Sequence, residues 1–362
     1  MTDVLKNTVL VVVSTLVTLL VLEGLLQAFY DPSRIYSNLR VLPEENRIHH
    51  EARFWRDHRR GETFEHTHDA QLGWDFDAQQ DRIRGSRTVS LTPADDTLRV
   101  LAIGDSFTYG IDVEENETYS ALLDGMDGIE ALNMGIPGYG IDQAYLKYAA
   151  HGRQFQPDVI VFGIYVGDYE RTALQFTFFA KPWFEVEMGT MKVAGQPIPT
   201  PEAEFARIAQ YLENRIYLLE VLRNFQRKIS VTEADRARFF RNTDAVVRHI
   251  LQDLKENLSA QQTLLVVHIP RAEAFIESDD MRDEISRRLL ALYEEVGIPY
   301  IDLKAAFTAE REPRRVYEEY YRHLDSGSVG HLNHAGHARV ADLILGKLKE
   351  QGIPADIGSG GL

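Results

Sequence analysis

The sequence contains no cysteine in its 362 residues. Disulfides, thiolate nucleophiles and cysteine-based zinc sites are therefore excluded, although the redox compartment stays open. Basic residues are also scarce relative to acidic ones, since 39 Lys and Arg face 55 Asp and Glu and the net charge is −16. A chain this acidic repels a phosphate backbone, so we expect no nucleic-acid partner.

Long apolar runs are equally scarce, with one exception near the N-terminus. From Thr8 to Tyr30 the chain is apolar apart from small hydroxyls, Glu23 and Gln27. As a helix this stretch would be ~34 Å long, which is enough to cross the core of a bilayer. A cleaved signal peptide or a buried core helix is the alternative, but no small-residue cleavage site with a polar break follows. We therefore expect residues 1–30 to be an uncleaved single-pass membrane anchor.

The rest of the chain changes texture twice. Residues 31–97 form an irregular polar preamble, residues 98–350 alternate apolar strand-like runs with helical segments, and residues 351–362 form a tail. The strand-like runs are residues 99–104, 129–134, 158–166, 263–270 and 298–303. Five apolar strands that alternate with helices predict an α/β fold, a three-layer sandwich around a parallel sheet of about five strands.

A long insertion, at about residues 172–262, separates the third strand from the fourth. Its first part is rich in aromatic residues and predicts a hairpin lid, and the remainder predicts two long helices. Aromatic residues at helical spacing in Tyr211–Phe225 are typical of a helix face that packs in the core.

The loops that follow the strands carry the candidate chemistry, because ligands of an open α/β sheet bind at the carboxyl ends of its strands. The first strand runs into GDSFTYG, where Ser106 lies on a strand-to-helix turn. Such a serine exposes its hydroxyl close to backbone N–H groups that can hold an oxyanion, or it merely caps the helix. The second strand runs into NMGIPGYG, whose glycines allow close approach of a ligand or simply form a tight turn.

Histidines supply the candidate base. In GHLNHAGH, His331 lies on the loop that enters the C-terminal helix and can face the same strand ends, whereas His334 and His337 are predicted to lie in the helix and face solvent. The spacing of these three histidines, and of the preamble residues 66–69, is compatible with a metal. Exposed histidines explain both patterns as well, and we expect no metal and no cofactor.

Together these loops resemble the SGNH, or GDSL, hydrolase superfamily over residues 98–350. The most specific motifs are GDSFTYG and GHLNHAGH, with NMGIPGYG between them. The resemblance implies a flavodoxin-like sandwich with the nucleophile at Ser106, oxyanion donors at Ser106 and Gly138, and the general base at His331. The preamble, with its Gln71–Trp74 segment, looks like that of membrane-anchored bacterial members.

Two positions depart from the family pattern. The family's third oxyanion donor is an Asn, and the matching residue here is Asp168. An ionised carboxylate cannot donate, so Asp168 must be protonated by burial or turned aside while backbone donors hold the oxyanion. The family's Asp three residues before the histidine is Ser328 here. We therefore predict Asp325 as the acid that orients His331, with a backbone carbonyl in a Ser-His dyad as the alternative.

The resemblance implies an esterase that works through an acyl-serine, on a small-molecule or glycan acyl ester. For an exported, membrane-tethered member, the analogy points to O-acyl groups of cell-envelope carbohydrate and to a periplasmic catalytic domain, although the charges that flank the anchor do not set its orientation. If a sugar hydroxyl replaces water, the same site is a polysaccharide O-acetyltransferase. A non-catalytic carbohydrate-binding or assembly protein is the remaining hypothesis.

Overall fold

The computed structural model describes residues 2–29, 41–62, 66–75, 82–85, 88–187, 190–325 and 329–353. Ser328 and most of the predicted tail lie outside the described residues. The helices are α1 Thr2–Phe29, α2 Pro43–Arg59, α3 Ser106–Tyr109, α4 Tyr119–Asp124, α5 Ile141–Lys147, α6 Asp168–Thr172, α7 Pro201–Leu212, α8 Tyr217–Ser230, α9 Glu233–Glu256, α10 Asp280–Val296, α11 Leu303–Glu310, α12 Pro313–Tyr320 and α13 His334–Glu350. The strands are β1 Thr67–Asp69, β2 Gly73–Asp75, β3 Leu98–Gly104, β4 Ile129–Asn133, β5 Val159–Tyr165, β6 Trp183–Glu187, β7 Thr190–Ala194, β8 Thr263–Ile269, β9 Tyr300–Asp302, β10 Tyr321–His323 and β11 Val329–Leu332.

The chain divides into two compact units. The first contains residues 1–65, 174–180 and 199–239, and the second contains residues 66–173, 181–198 and 240–362. All five predicted parallel strands fall in the second unit, which therefore carries the sheet.

The sheet has the order β4-β3-β5-β8-β9, and every neighbouring pair is parallel. Its central strands are β-branched and apolar, and the consecutive residues 159–162 are each at most 1% exposed, so both faces of the sheet are covered. Continuous apolar runs are typical of parallel strands that are buried on both sides. The predicted α/β sandwich with a five-stranded parallel sheet is confirmed.

Two devices hold the turns at the carboxyl ends of β3 and β4 together. Asn133, the last residue of β4, donates from Nδ2 to the Thr108 carbonyl (2.8 Å) and accepts at Oδ1 from the Gly135 N–H (3.0 Å). Gly135 approaches helix α3 so closely that a Cβ atom at this position would lie 2.4 Å from the Tyr109 nitrogen. The glycine is therefore required for packing between these two turns.

The insertion differs in part from its prediction. The predicted hairpin is present as the antiparallel pair β6–β7. Three helices, α7, α8 and α9, follow in place of the two that were predicted. The extra break lies at Thr232, whose Oγ1 accepts from the Asp235 N–H (3.2 Å) while its own N–H donates to the Asp235 carboxylate (3.1 Å). This reciprocal cap starts a new helix inside a run that otherwise has helical periodicity.

The preamble is more ordered than the sequence indicated, since it contains α2 and the antiparallel pair β1–β2. Its polar residues form ion pairs rather than a solvated loop. Asp75 is fully buried and accepts from Lys147 Nζ (3.1 Å), and Asp69 pairs with Arg82 (2.7 Å). Burial of the preamble charges is possible because each has a partner of opposite sign.

Helix α1 is exposed along its length, and an 18-residue window within Asp3–Phe29 has a mean hydropathy of 2.5. The helix is long and apolar enough to cross a membrane, a property that a signal sequence shares.

We expect Gly135→Ala to destabilise the protein by ~1–3 kcal/mol and to lower ester turnover, because the added Cβ must push helix α3 away from its place. The matched control is Gly346→Ala in helix α13, where a Cβ meets nothing within 4 Å. That change should stabilise the protein by ~0.5–1 kcal/mol through helix propensity. Thermal melts of both variants test this, and equal effects of the two changes would contradict it.

Candidate active site

Ser106 is the first residue of α3, directly after strand β3. The cap of this short helix is Asp105, whose Oδ1 accepts from the Phe107 N–H (2.9 Å). The Ser106 side chain is therefore not used as the cap, and the capping alternative is wrong. Its Oγ lies 2.8 Å from Nε2 of His331, and the residue is 5% exposed.

His331 lies on the short strand β11, which pairs with β10 just before helix α13, rather than on an open loop. Its ring packs on Phe107, with 4.6 Å between the ring centroids. The next helix is anchored by Asn333, which caps it by accepting from the Gly336 N–H (3.0 Å) and donates from Nδ2 to the Glu319 carbonyl (2.8 Å). Strand pairing, ring packing and the cap together restrict the position of the imidazole.

The carboxylate of Asp112 completes the arrangement. Its Oδ2 lies 3.1 Å from His331 Nδ1 and also accepts from the His331 backbone N–H (2.9 Å). Partial burial raises the pKa of Asp112, but these hydrogen bonds outweigh it and hold the pKa below its usual value. An ionised Asp112 assigns the ring proton to Nδ1 and leaves Nε2 to accept from the Ser106 hydroxyl.

The carboxylate that contacts His331 Nδ1 belongs to Asp112. The prediction that Asp325 orients His331 is therefore wrong. Asp325 is exposed, and within the described residues the carboxylate that contacts the His331 ring belongs to Asp112. The physical reason is a left-handed turn. Gly110 ends α3 at φ +76° and reverses the chain, so that Asp112, six residues after Ser106, lies beside the site. Arg84 holds this turn by donating to the Gly110 carbonyl (2.8 Å) and the Val113 carbonyl (3.0 Å).

Gly138 lies in the turn between β4 and α5. Strand β4 is the neighbour of β3, the strand that precedes Ser106. The preamble holds this turn, because Trp74 donates from Nε1 to the Pro137 carbonyl (3.0 Å) and Tyr139 donates its hydroxyl to the Trp74 carbonyl (2.5 Å). Within the described residues neither the Ser106 N–H nor the Gly138 N–H has a protein acceptor. Both donors are thus available to a ligand oxygen.

Comparison with known proteins identifies the family of this chain. Residues 102–339, more than half of the chain, match the model of the GDSL-like lipase/acylhydrolase family. The chain belongs to this family. A search among curated protein sequences found no match.

A search of solved structures matched several proteins over about 70% of this chain. The lipase/acylhydrolase from Enterococcus faecalis is 14% identical (TM-score 0.37), with 70% of this chain and 96% of that one covered. A GDSL family member from Veillonella parvula is 14% identical (TM-score 0.36), with 70% and 96% covered. The acetylxylan esterase Axe2 from Geobacillus stearothermophilus is 17% identical (TM-score 0.38), with 69% and 93% covered.

Asp168, which replaces the family's Asn, is turned aside. One carboxylate oxygen accepts from the Tyr165 N–H (3.0 Å) and the other from Arg171 (2.7 Å). Burial raises the pKa of Asp168 well above its usual value, the nearby Asp105 carboxylate adds to this, and Arg171 opposes both. Both oxygens of the Asp168 side chain therefore accept hydrogen bonds from protein donors.

Arg171 is a site residue that sequence reasoning missed. Its Nη1 donates to Asp168, to Asp105 (2.9 Å) and to the Tyr139 carbonyl (3.2 Å). One guanidinium therefore connects the residue before Ser106, the position of the family's Asn and the turn that contains Gly138. Its carboxylate partners raise the pKa of Arg171 despite its burial. The available signal was the Asp168–Arg171 spacing of three residues on a helix.

The other two histidines of GHLNHAGH differ in their exposure to solvent. His334 is exposed, as predicted, but His337 is fully buried, and its Nδ1 accepts from the Tyr119 N–H (3.2 Å). Burial lowers the pKa of His337 to about 3, so the ring is neutral and structural. The prediction that His337 faces solvent is wrong, because the inner face of α13 packs against α4.

The raised pKa of Asp168 makes a pH prediction. A carboxyl whose folded-state pKa exceeds its unfolded value of ~3.9 stabilises the fold fully below that value, and the contribution is lost as the pH rises through the folded pKa. We therefore expect the Tm of the wild type, relative to that of Asp168→Asn, to fall as the pH rises from ~4. The exposed Asp325→Asn is the control. Parallel pH profiles for wild type and Asp168→Asn would rule out this assignment.

Proposed function

We propose that this protein is a serine ester hydrolase that works through an acyl-Ser106 intermediate. One observation carries the proposal: Ser106 Oγ lies 2.8 Å from His331 Nε2, and Nδ1 of the same ring lies 3.1 Å from Asp112. A nucleophile, a base within hydrogen-bond reach and a carboxylate that orients the base are the parts that acyl transfer needs.

In the first half-reaction, Nε2 of His331 takes the proton of Ser106 as Oγ attacks the ester carbonyl. Asp112 stabilises the imidazolium that forms and keeps the ring in the required tautomer. The imidazolium then gives its proton to the departing alcohol oxygen, and the acyl group remains on Ser106. In the second half-reaction, His331 deprotonates water, which attacks the carbonyl of the acyl-serine. The imidazolium then returns its proton to Ser106 Oγ as the acyl–oxygen bond breaks and the acid is released.

The oxyanion is held in this mechanism by the backbone N–H groups of Ser106 and Gly138. Asp168 supplies no third donor, because Tyr165 and Arg171 occupy its oxygens. One missing donor costs ~10²–10³ in rate, which leaves a functional enzyme. Arg171 donates to Asp105 (2.9 Å), which weakens the repulsion between that carboxylate and the oxyanion.

For the substrate we propose O-acyl groups of cell-envelope carbohydrate, with the catalytic domain on the extracytoplasmic side of the membrane. The apolar helix α1 and the resemblance to membrane-anchored bacterial members support this assignment. Water or a sugar hydroxyl can accept the acyl group from the same intermediate. Incubation with an acetylated glycan and a free oligosaccharide, followed by mass spectrometry, distinguishes released acetate from transferred acetyl.

The nucleophile assignment is tested with Ser106→Ala. We expect this variant to lose turnover of 4-nitrophenyl acetate and labelling by a fluorophosphonate probe, while its Tm stays close to that of the wild type, because the change removes one oxygen. The exposed Ser90→Ala serves as the matched control and should retain both activities. Labelling of Ser106→Ala at the wild-type level would refute the proposal. A folded wild type that takes no label would favour a binding protein.

The orienting acid is tested by a matched pair of variants. Asp112→Asn should cut kcat by ~10⁴, because an amide that donates to Nδ1 leaves the wrong tautomer at Nε2. Asp325→Asn should leave kcat unchanged, since Asp325 is exposed and another carboxylate holds the ring. Steady-state kinetics on one short-chain ester decides between them. Equal losses in the two variants, or a loss only in Asp325→Asn, would restore the original assignment.

A further inference from the structure

Helix α8 exposes its apolar face. Leu222, Phe225 and Ile229 are 58%, 64% and 71% exposed, and Leu219 and Ile216 at the helix start are also exposed. These positions are spaced three or four residues apart and therefore form one continuous stripe. The predicted core packing of Tyr211–Phe225 is thus wrong at Phe225. An apolar stripe of this length in water is unfavourable and needs a cover.

The polar face of α8 is the one that packs inward. Glu220 is 2% exposed and accepts from Arg215 (3.0 Å) and Arg223 (2.7 Å). Arg227 pairs with Glu45 of helix α2. The helix is therefore inverted relative to a core-facing amphipathic helix, since its charges contact protein and its apolar side chains face outward.

The start of α8 is joined to helix α1. Both oxygens of Glu23 accept from the first N–H groups of α8, those of Tyr217 (2.7 Å) and Leu218 (2.8 Å). Glu23 lies six residues before the end of α1, which corresponds to ~9 Å along the helix axis. The exposed stripe of α8 therefore begins beside the last turns of the exposed apolar helix.

We propose that α8 is an interfacial helix that lies on the same bilayer that α1 enters. The inference rests on the anchor in the proposed function and is independent of the ester chemistry. Interfacial helices place their apolar face ~5–10 Å into the boundary between headgroups and acyl chains. Glu23, which meets the start of α8, likewise lies near one end of the apolar helix α1. Lys228, which precedes Ile229 of the stripe, is exposed and can contact a lipid phosphate. One lipid environment covers both exposed apolar surfaces.

The absence of cysteine makes the test direct. Single-cysteine variants of the full chain carry an environment-sensitive fluorophore at Leu222→Cys or Phe225→Cys on the stripe. Leu16→Cys in α1 is the lipid-side control, and Lys349→Cys, exposed at the end of α13, is the water-side control. Each is reconstituted in vesicles of phosphatidylcholine and phosphatidylglycerol that contain a spin-labelled lipid, with a shallow label for the variants in α8 and at Lys349 and a deep label for Leu16→Cys near the middle of α1. Because the stripe residues are more than half exposed, the substitutions leave the fold intact.

The expected result is several-fold stronger lipid quenching at Leu222→Cys and Phe225→Cys than at Lys349→Cys, with protection from aqueous iodide. Quenching at Leu16→Cys alone would overturn the proposal and leave the anchor standing. Failure at Leu16→Cys would overturn both, whereas the ester hydrolysis tests would be unaffected. Concentration-dependent crosslinking of Phe225→Cys without lipid quenching would assign the stripe to a second copy of the chain and likewise overturn the proposal.

Discussion

The candidate site depends on one carboxylate that accepts two hydrogen bonds from one histidine. Asp112 receives both the backbone N–H and the ring of His331, and this double contact joins the loop after the first strand of the sheet to the last strand of the chain, 219 residues away. It sets the ring plane as well as the tautomer, so Nε2 can only face Ser106. Asp112 and Ser106 lie six residues apart in one short segment, so only His331 comes from a remote part of the sequence.

The same turn creates an electrostatic problem that Arg171 solves. Asp105 caps the helix that begins at Ser106 and Asp168 starts the helix after β5, so two buried carboxyl groups lie beside the proposed oxyanion site. Uncompensated charges there would oppose both folding and oxyanion formation. The guanidinium of Arg171 donates to both carboxyl groups, and burial together with the Asp105 carboxylate raises the pKa of Asp168. The Asp that stands in place of the family's Asn is therefore a hydrogen-bond partner of Arg171.

The first unit follows a different principle. Its helix α8 buries a charged face and exposes an apolar one, which is unfavourable in water. Glu23 ties the start of α8 to α1. An apolar stripe at the end of an apolar exposed helix is consistent with one continuous surface for lipid. The net charge of the whole chain does not indicate this arrangement, because it carries no information on which face of a helix is apolar.

By itself the sequence determined the parallel sheet, its five strands, the apolar N-terminal helix, and the positions of Ser106 and His331. These features depend on local periodicity and on short motifs, which are properties of neighbouring residues. Tertiary structure alone decided the rest. Asp112 was not predicted, because its partner His331 is 219 residues away and no local pattern links the two. His337 was expected to face solvent and is buried, and Phe225 was expected in the core and is exposed. Helical spacing defines a face of a helix. The direction in which that face points depends on which other elements pack against the helix.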